Sequence, residues 1–185
     1  MRNFRHKSRL VICIVAFSGL CSQKLPAQNV NPENKDDLYK DFRTEFIWEA
    51  KVKIANMINL GESKRGERRI IPITGGTFSG PKIKGEVLAG GADWQLVRPD
   101  GDTELHARYL MKTDDGNLIQ IINRALIHTD QKSKAFYCKS VLDIEAPSNS
   151  PYDYLNHAIF IGTLEMPVLK KGEEPYVIIK VYKVL

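Results

Sequence analysis

From Glu45 onward, apolar and polar residues alternate with a period of two along most of the chain. Phe46, Trp48, Ala50, Val52 and Ile54 interleave with Glu45, Glu49, Lys51 and Lys53, the pattern of a strand with one buried and one wet face. Arg69 to Thr74 is a second run, ended by Gly75-Gly76. Lys82 to Leu88 and Ala92 to Arg98 follow, separated by Gly90-Gly91. Pro99-Asp100-Gly101 then reads as a turn, because proline presets φ and glycine accepts a positive φ. Thr103 to Thr113 and Leu118 to Thr129 form the strongest hairpin signal, joined through Asp114-Asp115-Gly116-Asn117. Further strand-like runs are Ala135 to Glu145, Ala158 to Leu164 and Pro175 to Leu185, and Tyr152 to His157 predicts one helical turn.

These runs predict a single all-β domain of about eight to ten short strands with turns between them. A closed antiparallel up-and-down β-barrel satisfies the pattern best, since closure removes exposed sheet edges. The barrel is expected to span residues 44–185, preceded by a polar linker over 28–43.

The first residues break the alternation. Arg2, Arg5, Lys7 and Arg9 precede the apolar run Leu10 to Leu20, and a polar stretch ends at Leu25-Pro26-Ala27. A basic start, an apolar segment of about 7–15 residues and a small residue before cleavage describe a secretory signal peptide. Residues 1–27 are therefore expected to be removed, leaving a periplasmic or secreted protein with no stable membrane span. Spanning a bilayer takes roughly 20 apolar residues, more than this run supplies. Leu20 is also too bulky to precede a lipidated Cys21.

Export changes the reading of charge. The chain carries 27 basic and 22 acidic residues, a net charge of +5. Five of the basic residues lie in the expected signal, so the mature chain has 22 of each sign. A global field that attracts nucleic acid is absent. The local run Lys64-Arg65-Gly66-Glu67-Arg68-Arg69 is diluted by acids and reads as a solvated approach to a strand. Cys138 is the one cysteine left after cleavage, so an internal disulfide is excluded. Its aromatic strand context predicts a buried, inert thiol.

No G-x-S-x-G, H-E-x-x-H, C-x-x-C or P-loop motif is present, and no cofactor is expected. His106, His128 and His157 lack ligand-type spacing, so no metal site is expected either. Gly75 to Gly80 is followed by neither a helix nor a suitably spaced lysine, and reads as strand bending. The remaining polar candidate lies on the hairpin. One face of Thr103 to Thr113 carries Leu105, Ala107, Tyr109 and Met111, and the other Glu104, His106 and Arg108. A two-residue loop at Asp115-Gly116 sets Arg108 opposite Asn123. A three-residue loop at Asp114-Asp115-Gly116 sets His106 opposite Arg124 and Arg108 opposite Ile122.

The runs Gly66 to Phe78, Gly90-Gly91-Ala92-Asp93-Trp94-Gln95 and Arg98-Pro99-Asp100-Gly101 resemble the bacterial and fungal family catalogued as domain of unknown function 3237. So do Leu105 to Tyr109, Thr113 to Gly116, Asn123-Arg124 and Tyr154-Leu155-Asn156. The resemblance runs from about Glu45 to Val184 and implies a compact, soluble, closed antiparallel barrel of lipocalin-like or outer-membrane-barrel-like topology. It implies no reaction and no catalytic residues. The chain departs from the family pattern at Arg124-Ala125, where members usually carry Arg-Gly or Arg-Ser, and in its export signal.

The expected function is binding of a small amphipathic or apolar molecule in the barrel. Trp94 and Tyr154 would supply contact area, and Asp93, Arg108, Asn123 and Arg124 would orient polar groups. A cofactor-free hydrolase, isomerase or cyclase using an Asp/Glu/His/Arg cluster is the alternative. A structural module with a filled barrel is the other.

Overall fold

The computed structural model describes residues 42–185; the expected signal peptide and nearly all of the linker lie outside them. Ten strands follow in order: β1 (Thr44–Ile54), β2 (Ile58–Ser63), β3 (Gly66–Ser79), β4 (Lys84–Val87), β5 (Ala92–Val97), β6 (Thr103–Thr113), β7 (Leu118–Thr129), β8 (Phe136–Glu145), β9 (Phe160–Glu165) and β10 (Tyr176–Val184). One 3₁₀ turn, Asp153–His157, precedes β9.

Every pairing between these strands is antiparallel, and the sheet closes on itself. β1 pairs with β10 on one side and with β3 on the other. From β6 to β10 each strand pairs with the next in sequence. β4 and β5 share one position between β3 and β6, β5 against the first half of β3 and β4 against the second. The result is a closed eight-stranded barrel with two further short strands. The all-β barrel predicted from the alternation is the fold observed.

Two local readings differ from the structure. The Arg69 to Thr74 run does not end at Gly75-Gly76, because β3 continues through both glycines to Ser79. Gly76 has φ +143°, and a Cβ there would lie 2.1 Å from the Lys51 carbonyl oxygen of β1. The glycines therefore bend the strand where it changes partners, leaving β2 and β5 for β1 and β4. The sequence pattern does not predict strand β2 either. Its residues are nearly all exposed and show no period of two, and pairing to the first half of β3, with a bulge between Asn59 and Gly61, creates it.

The hairpin adopts the three-residue loop. Gly116 N–H donates to the Thr113 carbonyl at 2.8 Å, Thr113 N–H donates to Asn117, and Gly116 takes φ +90°. His106 thus faces Arg124 and Arg108 faces Ile122. The other register, Arg108 against Asn123, is excluded, because Asn123 pairs with Ala107.

The core fills one end of the barrel. Trp48, Phe78, Ile83 and Phe160 pack there with Tyr152 and Leu155 of the helical turn region. Tyr152 pins that region to the β6–β7 turn by donating its hydroxyl to Asp115 Oδ1 at 3.0 Å. Asn156 holds it to Ala146 through both backbone groups, at 2.8 and 3.0 Å. Among the described residues, no helical segment caps the opposite end, where β1, β5 and β7 terminate.

A Gly76→Ala variant places a Cβ against backbone in a positive-φ conformation. It should lose about 1–3 kcal/mol or more of stability, seen as a lower urea midpoint. An unchanged midpoint would remove this contact from the account of closure.

Candidate functional site in the open end of the barrel

Alternation and register together decide which side chains enter the barrel. On β6 the odd positions Leu105, Ala107, Tyr109 and Met111 face in, and Glu104, His106 and Arg108 face out. Cross-strand partners share a face, so this parity propagates. Asp93 of β5 pairs with Ala107, and Ala107 with Asn123 of β7, forming one rung with Ile71 of β3. The adjacent rung toward the open end runs Arg69, Gln95, Leu105 and Ala125. Ala107 and Ala125 on these rungs are small, and they leave space.

That space is a cavity of about 120 Å³. Its walls include Ile71, Ile73, Leu105, Ala107, Val177 and Ile179, and its polar groups are Asp93, Gln95, Tyr109 and Asn123. Gln95 Nε2 donates to Asp93 Oδ2 at 2.7 Å, and the His106 backbone N–H donates to Asp93 Oδ1 at 2.9 Å. Burial pushes the Asp93 carboxyl above the usual carboxylate range, although both hydrogen bonds and the positive groups nearby favour the charged form. The Tyr109 hydroxyl and Asn123 Oδ1 are buried with no hydrogen-bond partner in the protein. Burial also raises the Tyr109 hydroxyl well above its ordinary value.

The six residues singled out from the sequence fall in three places. Asp93 and Asn123 come together inside the barrel. Trp94, Arg108 and Arg124 are on its exterior. Trp94 is 53% exposed opposite His106, because an inward Asp93 turns its neighbour outward. Arg108 donates through Nε and Nη2 to Gln120 Oε1, at 3.2 and 2.7 Å. It lines a shallow outer groove of about 490 Å³ with Trp94 and Gly90. Arg124 borders a separate outer groove of about 680 Å³ with Tyr137, Val141 and Ile161. Glu104 does not offset the His106–Arg124 juxtaposition, since it accepts from Arg98 at 3.2 Å; both of those outward residues are exposed to water instead. Tyr154 lies at the plugged end, beside Ile47 and Lys82, with its hydroxyl raised by burial.

Gln95, Ala107 and Ala125 are not among the site residues that the sequence pattern predicts. A signal for Gln95 was present: Asp93 and Gln95 share one strand face while Trp94 and Leu96 share the other. Reading the polar face as the inner one requires the β5–β6 register, which only the folded chain supplies. Cys138 also faces inward, buried, with its thiol raised by burial. It has the environment of an inert thiol. Among the described residues, no cluster of three or more His, Cys, Asp or Glu side chains is arranged to hold a metal.

Residues 42–184 match the family described as protein of unknown function (DUF3237). The chain belongs to this family. A UPF0311 protein from Rhodopseudomonas palustris (strain TIE-1) is 40% identical over 83 residues, covering 45% of this chain and 54% of the relative. The chain thus spans about half the length of the curated relatives it matches. A beta-barrel like protein from Acinetobacter baumannii AYE superposes with a TM-score of 0.68 at 33% identity, over 78% of this chain and 96% of its own. An enzyme from Penicillium herquei superposes with a TM-score of 0.57 at 22% identity, over 78% and 96% of the two chains. That likeness speaks for the fold alone.

The Asp93 environment has a measurable consequence. Its folded-state pKa is raised, so below the ordinary carboxylate range both states are protonated and the group contributes nothing. As pH rises, the unfolded chain ionises first, and stability falls until the folded-state pKa is passed. Relative to Asp93→Asn, the wild-type protein should therefore lose stability across that window. Parallel pH–stability curves for the two proteins would contradict the assigned burial.

Proposed function

We propose that this protein binds a compact, mainly apolar small molecule in the open end of the barrel, and that it does so outside the cytoplasm. One observation carries the binding reading: Asn123 Oδ1 and the Tyr109 hydroxyl are buried without partners beside a mainly apolar cavity. An unpartnered buried polar group costs about 1–3 kcal/mol, and a sequence free to vary would replace both with apolar residues. A ligand bearing a hydroxyl or carbonyl satisfies them. The cavity is on the scale of the roughly 150 Å³ apolar void that accepts a benzene ring, which fits a ring-sized body. Localisation to the periplasm or medium rests on the composition of residues 1–27, and no nucleic-acid partner is proposed because the mature chain is neutral overall.

A second reading has its own observation. Asp93, with its carboxyl raised by burial, lies in the same cavity, and a carboxyl poised in this way serves as a general acid or base. A cofactor-free enzyme acting on the bound molecule would use it. The fold is compatible with catalysis, since the Penicillium herquei barrel is described as an enzyme. A barrel filled solid is disfavoured by the cavity.

The protein purified from its native compartment should release a small molecule on denaturation, detected by mass spectrometry. Ala107→Leu, which fills the cavity at a cost of about 1–3 kcal/mol from overpacking, should retain the barrel's circular dichroism but not the molecule. Equal retention by both proteins would place the ligand elsewhere. Asn123→Leu should raise the melting temperature while weakening retention. A lowered melting temperature with retention intact would show that Asn123 serves the fold.

A further inference from the structure

We infer that the molecule bound in the barrel carries an anionic group, a carboxylate or its equivalent, which pairs with Arg69 at the open end. This rests on the binding reading above and adds the class of ligand.

Arg69 sits on β3 two residues before Ile71 and four before Ile73, both of which line the cavity. Alternation therefore directs its side chain to the same interior face. It pairs with Gln95, another lining residue. Arg69 is half-buried, and its Nε is buried with no hydrogen-bond partner. Two carboxylates share this face nearby, and both are engaged by other donors. Asp93 accepts from Gln95 and from the His106 N–H. Glu67 accepts from Asn59 Nδ2 at 2.7 Å. Arg69 forms no direct ion pair among the described residues, and Asp93 acts on it only at longer range. Arg98, by contrast, meets three carboxylates within 3.2 Å.

A partly buried cation without a direct ion-pair partner is costly, and a guanidinium presents its donors in a fork that matches a carboxylate. The two rungs then divide the ligand. Its anionic end meets Arg69 and Gln95, its apolar body fills the space over Ala107 and Ala125, and its far end reaches Asn123 and Tyr109. A small organic acid with a hydroxyl or carbonyl at the opposite end has this outline.

The test uses matched pairs of aromatic and medium-chain acids with their methyl esters, beginning with 4-hydroxybenzoate and methyl 4-hydroxybenzoate. They are titrated into the mature protein and followed through the Asn123 side-chain amide signal. The acids should bind about tenfold or more tightly than the esters, the scale of a charge-assisted hydrogen bond. Arg69→Gln should abolish that preference by weakening the acids alone, and Arg69→Lys should restore part of it. Acids and esters binding equally, or losing affinity equally in Arg69→Gln, would overturn the anion assignment and leave the binding reading standing. If no member of either series moves the Asn123 signal, the binding reading fails and the anion assignment fails with it. Unchanged amide dispersion in both variants separates these outcomes from misfolding.

Discussion

Closure of the sheet through β1 is the constraint on which the rest depends. β1 is hydrogen-bonded to β10 along one edge and to the second half of β3 along the other. Its contact with β3 requires backbone to approach backbone at Gly76, where no side chain fits. The same glycine pair lets β3 turn from its outer partners to its barrel partners. With the ring closed, each strand has a defined inside, and the period of two becomes a choice between core and solvent. An open sheet of the same strands would leave Asp93 and Asn123 at a wet surface, with ordinary chemistry.

The two ends of the barrel have different physics. Aromatic and aliphatic residues from β1, β3, β9 and the Tyr152–Leu155 segment close one end, and hydrogen bonds from Tyr152 and Asn156 hold that plug in place. At the other end the interior positions include Arg69, Asp93, Gln95 and Asn123. Burying such groups opposes folding unless they are paired, and here the pairing is incomplete. Asp93 is satisfied, whereas Asn123 Oδ1, Tyr109 and Arg69 Nε are not. The large apolar core at the plugged end is what allows the open end to tolerate this arrangement, a division typical of proteins that hold a site at the expense of stability.

Much of the fold was legible in the chain. The alternation in β1, β6, β7 and β8 predicted half-buried strands, and Asp114-Asp115-Gly116 marked their tightest turn. β2 was not legible, because its side chains are exposed on both faces and its strand character comes entirely from pairing with β3. The end of the second strand at Gly75-Gly76 was misplaced for a related reason: glycine weakens a strand locally, but two tertiary partners carry β3 through it.

The residues of the site followed a different logic. The sequence by itself determined that Asn123 and Arg124 point to opposite faces, as do Asp93 and Trp94, since neighbours on a strand cannot share one. It did not determine which face is inside for β5, because one residue of slip exchanges the two sets without changing the pattern. The three-residue loop at Asp114–Gly116 and the β5–β6 register settled that choice. They set Asp93, Ala107 and Asn123 on one interior rung and left Trp94, Arg108 and Arg124 in water. Local preference specifies strands and turns, whereas the meeting of side chains from separate strands depends on hydrogen-bond register. Register is a property of the closed sheet.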